Sequence, residues 1–433
     1  MSSPVSLTDL IQKYALSDKI RPSKDLINDI RLFHEYLPKI VRKEASPFPV
    51  KEIIPVGSTS RDTFLPGSTD LDYFVTLETD QRSLLEKFIR KITPKVAKAT
   101  SALKKEYLYA ENPYARLIIP FKSQIFEVDL VATVTAQNYT ELREALKISG
   151  MARTPFHTKW LSPRVKGLET EIRLLKYWLK QKRIYGTFGL TGFLCELLLI
   201  KYRDFENLLQ KFATGFFSNL VLNFDERTET ELRKLFPDDK VIIADPCDIE
   251  RNAAAGIQGF MGDKKLERLN QQAKYSLENP EELFTPLIIE PPYIIVKIKI
   301  EGYVNTAEIY TRLARYATKL RNTLKNEGYD SKDVFISSEN FSIQFILDKY
   351  TQKETIVKGP PVRLIEQAEN FKRKHKVIEE REERLYAIDP PKYPSAKDVI
   401  IEYLNKTKTV GTIEMREKKG EKIKPITLQE EDV

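Results

Sequence analysis

The chain has 433 residues, 41% of them hydrophobic and 10% aromatic; this excludes global disorder and, on length, points to two to four domains. Lys and Arg outnumber Asp and Glu by 70 to 62, giving a formal charge of +8 and a pI near 9.0, a balance that suits a polyanionic partner. The only cysteines, Cys195 and Cys247, exclude a disulfide framework and zinc-finger spacing and imply a reducing compartment.

The N-terminus lacks an apolar signal core, and no apolar run is long enough to span a bilayer, so a soluble cytoplasmic protein without a membrane partner is expected. From Ser23 to about Lys43 apolar residues recur at helical spacing behind a Ser23 cap. "VKEIIPV" reads as a short strand ending in Gly57-Ser58, and "DLDYFVTLE", "ARLIIPF" and "QIFEVDLVATV" as further strands. A basic, helical stretch is expected between Gln81 and Lys105. These elements describe an α+β domain over residues 1–150.

Residues 151–282 turn mainly helical, with "LETEIRLLKYWLKQKRIYG" and "GFLCELLLIKYRDFENLLQKF" showing three- and four-residue apolar spacing. A β–α–β module is expected over 283–358, from "PPYIIVKIKIEG", a helix at about Thr306–Glu327 and the strand "FSIQFILD". Residues 359–433 are strongly charged, and the chain beyond Glu414 reads as a solvated tail. No internal repeat is evident.

The segment "VGSTSRDTFLPGSTDLDYFV" carries the chemistry. In a strand, residues i and i+2 share a face, so Asp70 and Asp72 are expected to project together. Asp129, inside the apolar run "EVDLVATV", is a third carboxylate; if the strands are neighbours, all three converge. Such a group suits one or two Mg²⁺ ions with positions open for phosphate oxygens. Gly57 permits close backbone approach, and Ser58, Thr59 and Ser60 offer donors to a triphosphate. A lone Asp-x-Asp is common on solvated strands; the combination with Gly-Ser and a further strand aspartate is what points to phosphoryl chemistry.

Gly57-Ser58, Asp70-Leu71-Asp72 and Asp129 together resemble the signature of the polymerase β-type nucleotidyltransferases. "RTPFHTKWL", "EIRLLKYWLKQKRIYG", "GFLCELL" and "DPCDIERNAAA" narrow the resemblance to the archaeal, class I CCA-adding tRNA nucleotidyltransferases. The resemblance implies addition of C, C and A to tRNA 3′ ends from CTP and ATP, with a nucleotidyltransferase head, a helical neck and an RRM-like C-terminal module. It implies Asp70, Asp72 and Asp129 as catalytic Mg²⁺ ligands, and Ser58, Arg61, Arg153, Thr154, His157, Lys176, Tyr185 and Arg251 as nucleotide-binding residues. Read without the resemblance, Lys176 is equally a solvated helix residue, Tyr185 a packed aromatic, and Arg251 a partner for Asp245 or Glu250.

The chain departs from the family pattern at "YAENPYA", where Asn112 stands in place of a histidine. tRNA recognition through the acceptor stem and T-arm is expected to use shape and backbone contacts, with "RNTLKNEGYDSKD" and "FKRKHK" as basic candidates; a second copy of the chain is a further candidate partner. Two rival readings share these features: a poly(A) polymerase, and a non-catalytic tRNA-binding protein on a decayed scaffold.

Overall fold

A computed structural model describes residues 6–67, 70–79, 81–109, 113–146, 150–300, 306–337, 340–375, 377–418 and 425–428. They form two units, Met1–Leu287 and Ile288–Val433. No helix among them is long and apolar enough to cross a membrane.

The first unit opens with α1 (Leu7–Ala15) and α2 (Lys24–Glu44); the Ser23 hydroxyl caps α2 by accepting from the Leu26 N–H. Strands β1 (Val50–Val56) and β2 (Leu71–Leu77), helix α3 (Arg82–Ala99), and strands β3 (Lys104–Tyr109), β4 (Pro113–Phe121) and β5 (Gln124–Val134) follow. They build a five-stranded sheet in the order β1-β2-β5-β4-β3, with β2 and β5 parallel and the other pairs antiparallel. The basic stretch predicted as helix to Lys105 stops at Ala99, and Lys104 and Lys105 already belong to β3. Ser101, at φ 54°, turns the chain back there.

Alternation along the strands sorts the two faces. Leu71, Tyr73, Val75 and Leu77 of β2, with Val128 and Leu130 of β5, pack against Phe33 and Leu37 of α2 and Phe88 and Ile92 of α3. Each such buried side chain contributes about 1.5–3 kcal/mol, which locks the register: a one-residue slip would turn this whole set outward. The opposite face carries the residues in between, among them Asp72 and Asp129.

After α4 (Tyr139–Leu146), a helical layer follows: α5 (Thr154–Leu161), α6 (Glu169–Gln181), α7 (Gly192–Tyr202), α8 (Phe205–Ala213), then β6 (Val221–Leu222), α9 (Glu229–Leu235), β7 (Ile242–Ile243), α10 (Ala255–Gln258) and α11 (Gly262–Glu278). Its core gathers Trp178, Leu198, Phe205 and Phe212, and also Ile11 and Ile20 from the N-terminal segment. Helix α7, "GFLCELLLIKY", is apolar nearly all round and is buried from Leu194 to Leu199. One charge, Glu196, lies inside that run.

In the second unit β8 (Tyr293–Ile298), α12 (Thr306–Asn326), β9 (Ser331–Ser337) and β10 (Ser342–Leu347) form the β–α–β core; β11 (Thr355–Pro361), α13 (Ile365–Lys374), β12 (Val377–Arg381), β13 (Arg384–Asp389), α14 (Ala396–Lys406), β14 (Gly411–Arg416) and β15 (Ile426–Leu428) follow. The sheet order is β15-β14-β8-β10-β9, with a separate β11-β13-β12 sheet. The expected solvated tail after Glu414 is thus corrected: Met415 and Arg416 complete β14, and Ile426–Leu428 pair with it as β15. Glu414, Met415 and Arg416 pair with β8, and Ile413 is fully buried beside Val296, so alternation decides there despite the charged composition.

Candidate active site

A single cross-strand row organises the site. Val56, Asp72, Asp129, Arg116 and Glu106 stand opposite one another in successive strands of the sheet. Cross-strand partners share a face, so the parallel β2–β5 pairing brings Asp72 and Asp129 side by side, as the strand pattern predicts. Asp70 lies just ahead of β2 and is exposed rather than sharing the strand with Asp72. The Asp72 carboxyl is pushed up to about 7 by burial and then by the charges of Asp129 and Asp70, with Arg116 opposing.

Arg116 was not among the predicted site residues. Its guanidinium forks onto Asp129, Nε to Oδ1 at 2.8 Å and Nη2 to Oδ2 at 2.9 Å, and also pairs with Glu127. The signal was present in "ARLIIPF", where one arginine interrupts an apolar strand on the face opposite Ala115 and Leu117.

Gly57 closes the row from above. It adopts φ +76°, and a Cβ there would lie 3.0 Å from Asp72 Oδ2, so no other residue lets this turn approach the carboxylate as closely. Ser58 follows, its carbonyl accepting from the N–H groups of Arg61 and Thr63. The Arg61 guanidinium donates to Thr158 Oγ1 at 3.1 Å and to Glu196 Oε2 at 2.9 Å.

Lys176, on α6, is neither a solvated helix residue nor free: its Nζ is buried, donating to the Thr63 carbonyl at 2.8 Å and standing 3.7 Å from Glu196. Tyr185 lies beyond the end of α6, yet its hydroxyl and Lys176 Nζ do converge. They would stand 3.2 and 3.5 Å from a Cβ at Gly192, the first residue of α7.

The remaining candidates gather around Asp245, which is 0% exposed. His157 Nε2 lies 2.8 and 2.9 Å from its two oxygens, Arg251 Nη1 donates to it at 2.6 Å, and the N–H groups of Cys247 and Asp248 donate as well. Burial alone would raise this carboxyl; the His157 hydrogen bond and the Arg251 charge hold it at about 2. Arg153 donates to Asp248 at 2.8 Å. His157 stacks on Phe193 with centroids 4.2 Å apart, and Arg251 sits 5.6 Å from the same ring. Thr154 opens α5 one turn from His157. Arg251 thus has the Asp245 partnership expected of an ordinary ion pair while staying 30% exposed at its side chain. Asn112 lies outside the described residues.

Among the described residues, two groups offer cation ligands. A ring nitrogen of His157, a carboxylate oxygen of Asp245 and the Cys247 sulfur lie within 4.8 Å of one another, but Asp245 is already saturated with donors, and burial with the Asp245 charge holds the Cys247 thiol up at about 12. The Asp72–Asp129 row is the one with negative charge left uncompensated, in an all-oxygen set.

Residues 35–133 match the family model "Nucleotidyltransferase domain", and residues 170–285 match "tRNA nucleotidyltransferase, second domain". The chain is 32% identical over 378 residues to the CCA-adding enzyme of Methanococcus maripaludis strain C7, covering 79% of this chain and 80% of the relative. The corresponding enzyme of strain C5 is 30% identical over the same shares. That of Methanocaldococcus jannaschii is 28% identical over 425 residues, covering 90% and 89%. The chain belongs to the CCA-adding enzymes, a family of tRNA nucleotidyltransferases.

Proposed function

We propose that this chain adds C, C and A to tRNA 3′ ends from CTP and ATP at the Asp72–Asp129 row. The observation that carries the reading is the register pairing of two aspartates on one sheet face under a glycine turn, with the Asp72 carboxyl pushed up to about 7. Such a site fits a hard divalent cation: oxygen ligands only, like charges pressed together, and no second cation beyond Arg116 in the row. Asp70, Asp72 and Asp129 would hold Mg²⁺. Bound there, Mg²⁺ supplies charge for the attacking hydroxyl and the leaving pyrophosphate oxygen.

The chain's own groups do the rest. The Gly57-Ser58 turn presents backbone N–H and hydroxyl donors to the triphosphate. Asp129, oriented by the Arg116 fork, takes the proton of the tRNA 3′-hydroxyl as its oxygen attacks the α-phosphorus; the bond to the bridging oxygen breaks and pyrophosphate leaves. Tyr185, Lys176 and Thr154 would line the nucleotide pocket, and Arg251 offers a planar donor fork to a base edge. His157 and Arg153 hold the Asp245 turn that carries Arg251.

Residues 1–150 would serve as catalytic head and 151–282 as neck, with 283–358 and the charged region after it meeting the acceptor stem and T-arm. The exposed Lys372, Arg373 and Lys374 at the end of α13 suit phosphate contact. The test is extension of tRNA transcripts ending before CCA, after C and after CC, each given one NTP. C on the first two, A on the third and then a stop supports the reading; a long A-tract or no incorporation overturns it.

A further inference from the structure

The turn that approaches Asp72 is gripped at three consecutive residues by the helical layer. Arg61 reaches Thr158 of α5 and Glu196 of α7. Asp62, at φ 52°, is held through its carbonyl and its Oδ1 by Arg173 of α6. Thr63 donates its hydroxyl to Glu196 Oε1, while its carbonyl and hydroxyl oxygen accept from Lys176.

Glu196 is the centre of this grip. Its side chain is 1% exposed within the otherwise apolar buried stretch of α7, and both of its oxygens are committed, Oε2 to Arg61 and Oε1 to Thr63 with Lys176 at 3.7 Å. A buried carboxylate is costly unless paired and hydrogen-bonded, and all three of its partners are residues that either belong to the turn or hold it. Nothing in the core of α7 requires a charge; only the turn does.

We propose that Glu196 is a positioning residue for nucleotide binding: it fixes Arg61 and Thr63, and through them the Gly57-Ser58 turn, in the geometry that receives the triphosphate. The inference rests on the active-site reading above. Arg61 and Lys176, two cations of the nucleotide site, share this one anion, so removing its charge leaves both unbalanced and frees the turn from α7. The same geometry assigns Thr63 a matching part, as the residue through which α6 and α7 grip the turn together.

The experiment is steady-state addition of C and of A by full-length wild type, Glu196→Gln, Thr63→Val and Thr63→Ser, with melting temperature and tRNA binding measured on each. Wild-type extension comes first, and its failure would reject the active-site reading rather than this proposal. The expected result is a rise of tenfold or more in KM for both CTP and ATP in Glu196→Gln and Thr63→Val, a smaller fall in kcat, and unchanged tRNA binding. Thr63→Ser, which keeps the hydroxyl, is expected to stay within twofold of wild type. If Glu196→Gln does not fold, Thr63→Val against Thr63→Ser decides. A lowered melting temperature with KM unchanged, or a KM rise equal in Val and Ser variants, would overturn the proposal and leave Glu196 a structural ion pair.

Discussion

Asp72, half-buried, and Glu196, buried, are both carboxylates of the first unit, and their surroundings are opposite. Glu196 is held below the usual carboxylate range: burial works to raise it, but the charges of Arg61 and Lys176 and the Thr63 hydrogen bond outweigh that. Asp72 is pushed up to about 7, with two further aspartates beside it and one arginine shared with Asp129. A charge balanced from within the chain builds architecture; a charge left unbalanced is reserved for something brought from outside.

The largest effects are expected at the row itself. Asp72→Ala is expected to lower nucleotide incorporation by ~10⁴-fold, the scale of removing one member of a catalytic unit, with tRNA binding within twofold by filter retention. Incorporation at the wild-type rate would remove Asp72 from the chemistry. Arg116→Ala, which frees the Asp129 carboxylate to rotate, is expected to lower kcat by ~10²-fold with little change in nucleotide KM. A KM effect alone would place Arg116 in binding instead.

The strand pattern made much of this site legible. Alternation in "DLDYFVTLE" and "EVDLVATV" placed Asp72 and Asp129 on their face, and the parallel register then set them opposite each other. Periodicity does not mark where a strand begins, so it extends the strand over Asp70, whereas β2 starts at Leu71. Glu196 is not legible in the sequence, since a single acid in an apolar stretch carries no local signal and its partners lie some 20 to 135 positions away. Charged composition alone predicts a solvated tail after Glu414, whereas Ile413 and its alternating neighbours already encode a strand.

Stability sharpens the contrast further. The folded Asp72 carboxyl sits near 7 against ~3.9 unfolded. The folded state therefore holds the extra proton between these values, and metal-free protein loses stability as pH rises from ~4 through ~7. Asp72→Asn removes that loss, so in EDTA it is expected to melt above wild type by ~5 °C at pH 8 and by little at pH 4. A variant that melts lower than wild type at both pH values would deny that Asp72 is unbalanced.

The smallest effect belongs to the second unit. Replacing Lys372, Arg373 and Lys374 by alanine is expected to weaken tRNA binding ~10-fold at low salt and to reduce the log–log salt slope by about 2. An unchanged slope would remove the end of α13 from the tRNA footprint.

A cation from outside the chain balances Asp72 in the working enzyme we propose. The most direct measurement is the melting temperature at pH 8 with and without ~10 mM Mg²⁺ plus CTP, for wild type and Asp72→Asn. A clear upward shift is expected in wild type and is expected to be lost in the variant. An equal shift in both, or none in either, would contradict that balance.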